Sequence, residues 1–432
     1  MKLRTYHLFL LALVLRLGFV VVSHGIVFTE TRVTDSVSFQ NETTNIAASI
    51  VNGYGYESPF IGSLGGNPHL GPTAWVTPVY PLMIAFWFAI FGVFSRQALF
   101  WVVFTQCLIS AATCIPILRI GELTVGWRAG VIAALTWAVF PWFSHLAVTF
   151  VWETTLTALL LPLLFWYTLR LDTPTTLRPW LGFGTLWGFT LLSNPALLTF
   201  LPVSLGWLAL HRSRRHAEWL KPAIAAVAVA AVVISPWLIR NRIAFGHWTF
   251  LRTNFGFEVV MGNVHGGSGR DWAMRSPTTN PQELADYRRL GELSYVRARA
   301  EQGKAFIRAY PGEYLKFVRE RFAIFWTGSS MFFDTPVAWF WMPWSFLPLT
   351  LLFAPALVLA CMHRVRGWEL YVGAVLVFPL PYYFVVCQAR YRHVLEPLML
   401  LLIANMVLRL FFAPEVEPDE LSDRVMVETS TT

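Results

Sequence analysis

Charge is scarce in this sequence. Of 432 residues only 13% are Asp, Glu, Lys or Arg, roughly half the share of a soluble domain. Cysteine is rarer still: Cys107, Cys114, Cys361 and Cys387 all lie in or beside apolar runs. They have no metal-ligand spacing, so neither a zinc site nor a disulfide framework is expected. No P-loop, dinucleotide fingerprint, HExxH or GxSxG occurs, which removes the usual signatures of several reaction classes. The net charge of +8 is no sign of a nucleic-acid partner. Its clusters, such as "HRSRRH" (211–216) and "HRVR" (363–366), are short and flank hydrophobic runs, as cytoplasmic anchors do.

What is present in excess is apolar and aromatic. Hydrophobic residues make up 56% of the chain and aromatics 16%, with 20 Trp; such rings concentrate where membrane meets water. Several runs reach the roughly 20 residues that cross a hydrocarbon core. The chain reads as an all-α polytopic membrane protein of about ten spans: 5–28, 77–95, 98–118, 128–143, 146–169, 180–209, 221–239, 337–361, 368–387 and 394–412. Arg16 interrupts the first run and no clean cleavage site follows it, so this run is read as an uncleaved helix rather than a signal peptide.

Two polar stretches interrupt the spans and, with a cytoplasmic start at Lys2 and Arg4, both fall outside. The expected organisation is an N-terminal transmembrane core (1–239, with a first outer loop at 29–76) and an extracytoplasmic helical loop (240–330). C-terminal transmembrane helices (331–412) and an acidic, disordered tail (413–432) follow. This topology leaves Arg119 and Arg128 outside, against the charge bias, and puts Glu153 nearer the inner end of its span. The run 180–209 is long and broken by "SNP" (193–195), so two segments are also open. In the first loop, Ile46, Ala47, Ile50 and Val51 recur at helical spacing from Glu42, and Asn52-Gly53 ends that short helix.

The ordered set "IAASIVNGYGY" (46–56), "PTAWVTPVYP" (72–81), "SPWLIRN" (235–241), "LRTNFGFEVVMGN" (251–263) and "ARYRHVLEP" (389–397) resembles the GT-C superfamily of membrane glycosyltransferases. The branch is the one that holds protein O-mannosyltransferases and the lipid A aminoarabinose transferase. The resemblance implies a multi-pass protein of the cytoplasmic membrane with its active site on the extracytoplasmic side. The reaction it implies moves a sugar, with inversion, from a polyprenyl-phosphate carrier to an acceptor hydroxyl on a protein, glycolipid or polysaccharide. A carboxylate takes the acceptor's proton in such a step, and arginines bind the phosphate of the leaving lipid.

The acidic pair of such relatives falls here on Phe39 and Gln40, neither acidic. The base is therefore sought at Glu42, with Asp35 as the alternative; a first-turn carboxylate that only complements the helix dipole is the plain reading of Glu42. Arg390, Tyr391 and Arg392 match the late Arg-Tyr pattern expected near the donor phosphate, although interfacial arginines also anchor helices by snorkelling. Arg240 either serves the phosphate or ends its span. Arg252, Asn254, Glu258 and Asn263 are assigned to the acceptor side or the loop. Arg16 and Glu153 lie in apolar spans, where charges find partners, and pairing with each other is one option. No metal ligands are assigned, although a divalent metal is possible. Two other readings remain: a flippase or transporter of lipid-linked sugars, and an inactive scaffold of the same fold. The first predicts matched broken helices, and the sequence has only the "SNP" break.

Overall fold

The computed structural model describes residues 5–24, 41–60, 69–173, 176–265, 276–328 and 346–412. Asp35 and the acidic tail lie outside the described residues. No β-strand occurs among them, and one isolated bridge joins Glu57 to Pro72.

The N-terminal half runs through α1 (Thr5–His24), α2 (Glu42–Val51), α3 (Val79–Phe91), α4 (Arg96–Thr124), α5 (Trp127–Val139), α6 (Pro141–Thr149) and α7 (Thr154–Leu171). It continues with α8 (Leu177–Ser193), a 3-10 turn (Pro195–Thr199), α9 (Phe200–Arg214) and α10 (Leu220–Phe245). The "SNP" signal thus splits the run 180–209 in two. Asn194 caps the turn by accepting from the Ala196 amide at 3.0 Å, and Pro195 cannot extend α8.

Among the described residues, four helices are by themselves long and apolar enough to cross a membrane: α1, α4, α7 and α10. The pair α5–α6, bent by 52° at Phe140-Pro141, would add a fifth.

Beyond α10 lies a helical module: α11 (Phe255–Gly262), α12 (Pro281–Leu290), α13 (Glu292–Ala309) and α14 (Pro311–Thr327). The chain then returns through α15 (Leu347–Met362), α16 (Trp368–Val377), α17 (Leu380–Phe384), a 3-10 turn (Ala389–Val394) and α18 (Glu396–Phe411). One apolar core joins most of the helices outside the module, and a second packs α11, α12 and α13 against α2 through Ile46, Phe60, Trp75, Phe257 and Tyr287.

Two ends of the bundle can be told apart. At one end, buried Asp172, just past α7, meets Arg215 at 3.2 Å and Arg366 at 3.4 Å, and Arg212 donates to the Leu171 carbonyl. Tyr371 lies at this end, packs on Phe165 and lies 3.2 Å from the Thr124 hydroxyl. Arg119 and Arg128, which flank the α4–α5 turn, therefore sit with the other basic clusters. Gly121 and Gly130 let the two helices touch there; a Cβ on Gly121 would come within 2.4 Å of the Gly130 Cα.

In the middle of the chain the helices differ from the expected spans. The run 77–95 folds as a helix of only 13 residues, about 20 Å long and too short for a full crossing. It forms a hairpin with the first half of α4: Tyr80 bonds Gln106 at 2.6 Å and Trp87 stacks on Trp101. One crossing fewer places Glu153, at the start of α7, about 27 Å from the basic end. Charge bias and geometry now agree.

Candidate active site

The site is assembled from the first residue of α2, the residue before α7, the loop after α10 and the last 3-10 turn. Asn41 makes the first placement. Its Oδ1 accepts from the Thr43 and Thr44 amides at 3.0 and 3.1 Å, and Thr44 Oγ1 accepts from the Asn41 amide in return, a capping box. Its remaining donor, Nδ2, bonds the Val151 carbonyl at 2.9 Å. One side chain thus starts α2 at Glu42 and ties that start to the segment that carries Glu153. Asn41 is buried, so the sequon Asn41-Glu42-Thr43 is a helix cap and offers no accessible amide.

Glu42 is buried, and its Oε2 has no hydrogen-bond partner among the described residues. Burial raises its pKa; its backbone amide and the charges of Arg390 and Arg252 oppose that rise, and Glu153 adds to it. Glu153 Oε1 pairs with Arg252 Nη1 at 3.4 Å, while its Oε2 is unpartnered. Arg252 is held from behind by its Nε, which donates to the Trp75 carbonyl at 3.1 Å.

Arg390 lies with its guanidinium 4.4 Å from the centre of the Trp152 ring and 5.4 Å from that of Tyr391. Its Nε donates to Gln388 at 2.7 Å, yet buried Nη1 has no partner. Glu258 completes the group. Burial pushes its carboxyl up to about 7, the charges of Glu42 and Glu153 act in the same sense, and Arg252 and Arg390 oppose it. Asn254 donates to Glu258 Oε1 at 3.0 Å.

Three carboxyls and two guanidiniums thus act on one another, with polar atoms of Glu42, Glu153 and Arg390 left open. Unsatisfied buried polar groups are costly and rare. Here three belong to residues whose charges act on one another. Among the described residues no three His, Cys, Asp or Glu side chains are grouped as a metal-ligand set.

Other expected site residues stand elsewhere. Arg392 is fully buried and donates to Glu396 at 2.8 Å, the Phe346 carbonyl at 2.9 Å and Thr350 at 3.0 Å. Arg240 donates to the Thr73 carbonyl at 2.6 Å and to that of Tyr56, with its guanidinium over the Tyr56 and Trp237 rings. Both arginines are occupied by the protein. Asn263 binds Arg321 at 2.7 Å and lines a separate cavity of about 480 Å³ on the outer module, with His265, Gln302 and Tyr310. The ring of Tyr391 stacks on Tyr382 at 4.4 Å beside Arg390.

Arg16 does not meet Glu153. It donates to Ser110 at 2.8 Å and to the carbonyls of Ala12, Trp137 and Ala138, an all-neutral set. Glu153 was left out of the candidate set because the expected topology put it nearer the inner end of its span; here its charge acts on Glu42 and Glu258. Its signal was the tryptophan beside it and its place in a break between apolar runs, "TFVWETT" (149–155).

Residues 75–239 match the family model described as dolichyl-phosphate-mannose-protein mannosyltransferase. A search of curated protein sequences finds no match. Among solved structures, the archaeal oligosaccharyltransferase AglB from Archaeoglobus fulgidus, in complex with an inhibitory peptide and a dolichol-phosphate, superposes with a TM-score of 0.54 at 14% identity. The match covers 99% of this chain and 52% of that one. The same enzyme tethered to an acceptor peptide gives 0.53 at 14% identity, over 94% and 50%. ArnT from Cupriavidus metallidurans bound to undecaprenyl phosphate gives 0.39 at 13%, over 92% and 77%. The chain spans about half the length of the oligosaccharyltransferase it matches. The likeness runs over nearly the whole chain and shows that it shares the fold of that oligosaccharyltransferase.

Proposed function

We propose that the protein transfers a sugar from a polyprenyl-phosphate carrier to an acceptor hydroxyl, and that the cluster around Glu42, Glu153 and Arg390 is where it does so. The observation that carries this reading is a group of mutually interacting charges in which three buried polar atoms, Glu42 Oε2, Glu153 Oε2 and Arg390 Nη1, are open. The matched mannosyltransferase family and the dolichol-phosphate in the AglB complex support a lipid-phosphate donor.

In the proposed step the acceptor oxygen attacks the anomeric carbon while the bond from that carbon to the phosphate oxygen breaks. The electron pair leaves with the polyprenyl phosphate, and Glu42 takes the acceptor's proton. Arg390 stabilises the charge that grows on the departing phosphate, where a fixed cation acts most strongly. Its stack on Trp152 and its bond to Gln388 leave Nη1 to point at the ligand. Attack opposite the leaving group inverts the anomeric centre. Glu153, held by Arg252, is the rival base, and Asp35 stays a candidate from the sequence. Asn254 and Glu258 bound the acceptor side. The site lies on the face opposite Arg119, Arg128, Arg212, Arg215 and Arg366, which the positive-inside bias makes extracytoplasmic. A multi-pass protein of the cytoplasmic membrane follows.

The test is release of polyprenyl phosphate from a panel of polyprenyl-phosphate sugars, with membrane extract supplying acceptor. Wild type is compared with Glu42→Gln, Glu153→Gln, Asp35→Asn and Arg390→Ala. Turnover that collapses in Glu42→Gln, with folding intact, supports enzyme and base together. Full turnover in Glu42→Gln moves the base to Glu153 or Asp35.

A further inference from the structure

Glu292, the first residue of α13, is a buried carboxylate outside the proposed chemistry, and it accepts four hydrogen bonds. Its Oε1 takes the Ala74 amide at 2.8 Å and the Thr253 hydroxyl at 2.6 Å; its Oε2 takes Tyr287 at 2.7 Å and the Thr73 hydroxyl. Two of these donors belong to the return segment of the first loop, one to the loop after α10 and one to the outer module. The Thr253 amide also donates to the Ala74 carbonyl at 3.0 Å. On the other side of Thr73, Arg240 donates to its carbonyl at 2.6 Å. Thr73 is therefore gripped twice, at its hydroxyl by an anion and at its carbonyl by a cation.

Two loops can be joined by backbone bonds alone. Burying a carboxylate and a guanidinium to do so is costly unless every lone pair and donor is matched; Glu292 accepts two donors on each oxygen. What the grip holds is informative. Two residues past Thr73, the Trp75 carbonyl accepts Arg252 Nε, and one residue before Thr253 is Arg252 itself, 3.4 Å from Glu153. We infer that Glu292 and Arg240 form a clasp that sets Arg252 against Glu153, which makes both of them positioning residues for the transfer step. The positioning half of this inference rests on the reading of the cluster as the active site; the clasp itself does not.

The experiment has two arms. In the first, hydrogen exchange is followed in peptides covering 71–76 and 251–254 of the full-length protein, wild type against Glu292→Gln. Exchange at the Ala74 and Thr253 amides is expected to quicken by about 10-fold or more, since each amide loses a partner fixed by the carboxylate, while α18 is unchanged. In the second, turnover of the lipid donor is measured for Glu292→Gln, Arg252→Ala and the double variant. A misplaced Arg252 is expected to lower kcat by up to about 100-fold with the donor KM little changed, and the double variant is expected to be no worse than Arg252→Ala alone. Should Glu292→Gln fail to fold, Thr253→Val, nearly isosteric and missing one donor, carries the same expectations. Unchanged exchange at both amides overturns the clasp, and losses that multiply in the double variant overturn the positioning role. If wild type turns over no donor, the transfer reading fails, and the exchange arm still decides the clasp.

Discussion

The guanidinium of Arg390 lies over the ring of Trp152, 4.4 Å from its centre, and Trp152 is the neighbour in sequence of Glu153. A residue near the end of the chain is thereby docked on the turn that opens α7, and the stack aligns a cation with a carboxylate. A planar guanidinium suits this place. It can lie flat on an indole and still present an edge to phosphate oxygens, which a lysine ammonium cannot do. Arg390→Lys is therefore expected to weaken binding of polyprenyl phosphate by about 10-fold, and Arg390→Ala by more, given the roughly 1.5–3 kcal/mol of a charge-assisted contact. Titration of purified protein with polyprenyl phosphate checks it; equal affinity in all three proteins would remove Arg390 from the donor site.

Glu42 and Glu153 both have an open oxygen, but their surroundings differ. Arg252 pairs with Glu153, whereas burial dominates at Glu42 and raises its pKa. A raised carboxyl is a stronger base once deprotonated, which suits proton removal. Glu42→Gln is expected to lower kcat by about 10²–10⁴-fold with the donor KM within a few-fold of wild type. Glu153→Gln is expected to raise that KM as well, because Glu153 adjoins Trp152, the ring on which Arg390 lies. Kinetics of the two variants against one donor separate the roles. The acid limb of the wild-type pH–rate profile should also sit above the ordinary glutamate range, because the base form of Glu42 is reached only at higher pH. Its loss in Glu42→Gln ties the limb to that residue.

Much of this was legible in the sequence, for physical reasons that can be named. The α2 helix was readable because its apolar residues recur at helical spacing and Asn52-Gly53 stops it; the chain turns there with Gly53 at φ 86°. The "SNP" break was readable because asparagine is a good cap and the proline after it suits the first position of a new turn, where Asn194 and Pro195 stand. The topology between α3 and α7 was not. An apolar run of crossing length and an apolar helix that only leans on its neighbour have the same composition, and only the Tyr80–Gln106 and Trp87–Trp101 contacts tell them apart. The expected spans put Glu153 nearer the inner end of its helix. Glu292 was illegible for another reason: in "LGELSYV" it looks like any first-turn carboxylate, and its four donors come from three separate segments.

Glu258 gives a second pH dependence, with a sign that can be worked out. Burial raises its folded-state value from the ordinary 4.5 to about 7, so folding favours the protonated form. The contribution to stability is present below the unfolded value and is lost as pH rises through about 7. Thermal unfolding in detergent is expected to show wild type less stable at pH 8 than at pH 6. Glu258→Gln, which is neutral at both and keeps an acceptor for Asn254, should flatten that difference. A wild-type difference that persists in Glu258→Gln assigns it to another group.

Arg390 and Arg392 stand two residues apart in one 3-10 turn and are expected to behave oppositely. Arg392 is enclosed, with its guanidinium on Glu396, on Thr350 and on the Phe346 carbonyl, and His393 takes the second oxygen of Glu396 at 2.8 Å. Removing one partner of such a buried pair leaves an uncompensated charge, at a cost of about 3–5 kcal/mol. Arg392→Ala should therefore lower the unfolding temperature and the yield of folded protein, while any molecules that fold keep their affinity for polyprenyl phosphate. Arg390→Ala removes a cation whose Nη1 bonds nothing among the described residues, so it should fold normally and lose affinity instead. Unfolding temperature and lipid binding, measured on both variants, would place the two on opposite axes. If Arg392→Ala were stable but unable to bind the lipid phosphate, the late Arg-Tyr-Arg pattern would have to be read as two donor ligands rather than one ligand and one brace.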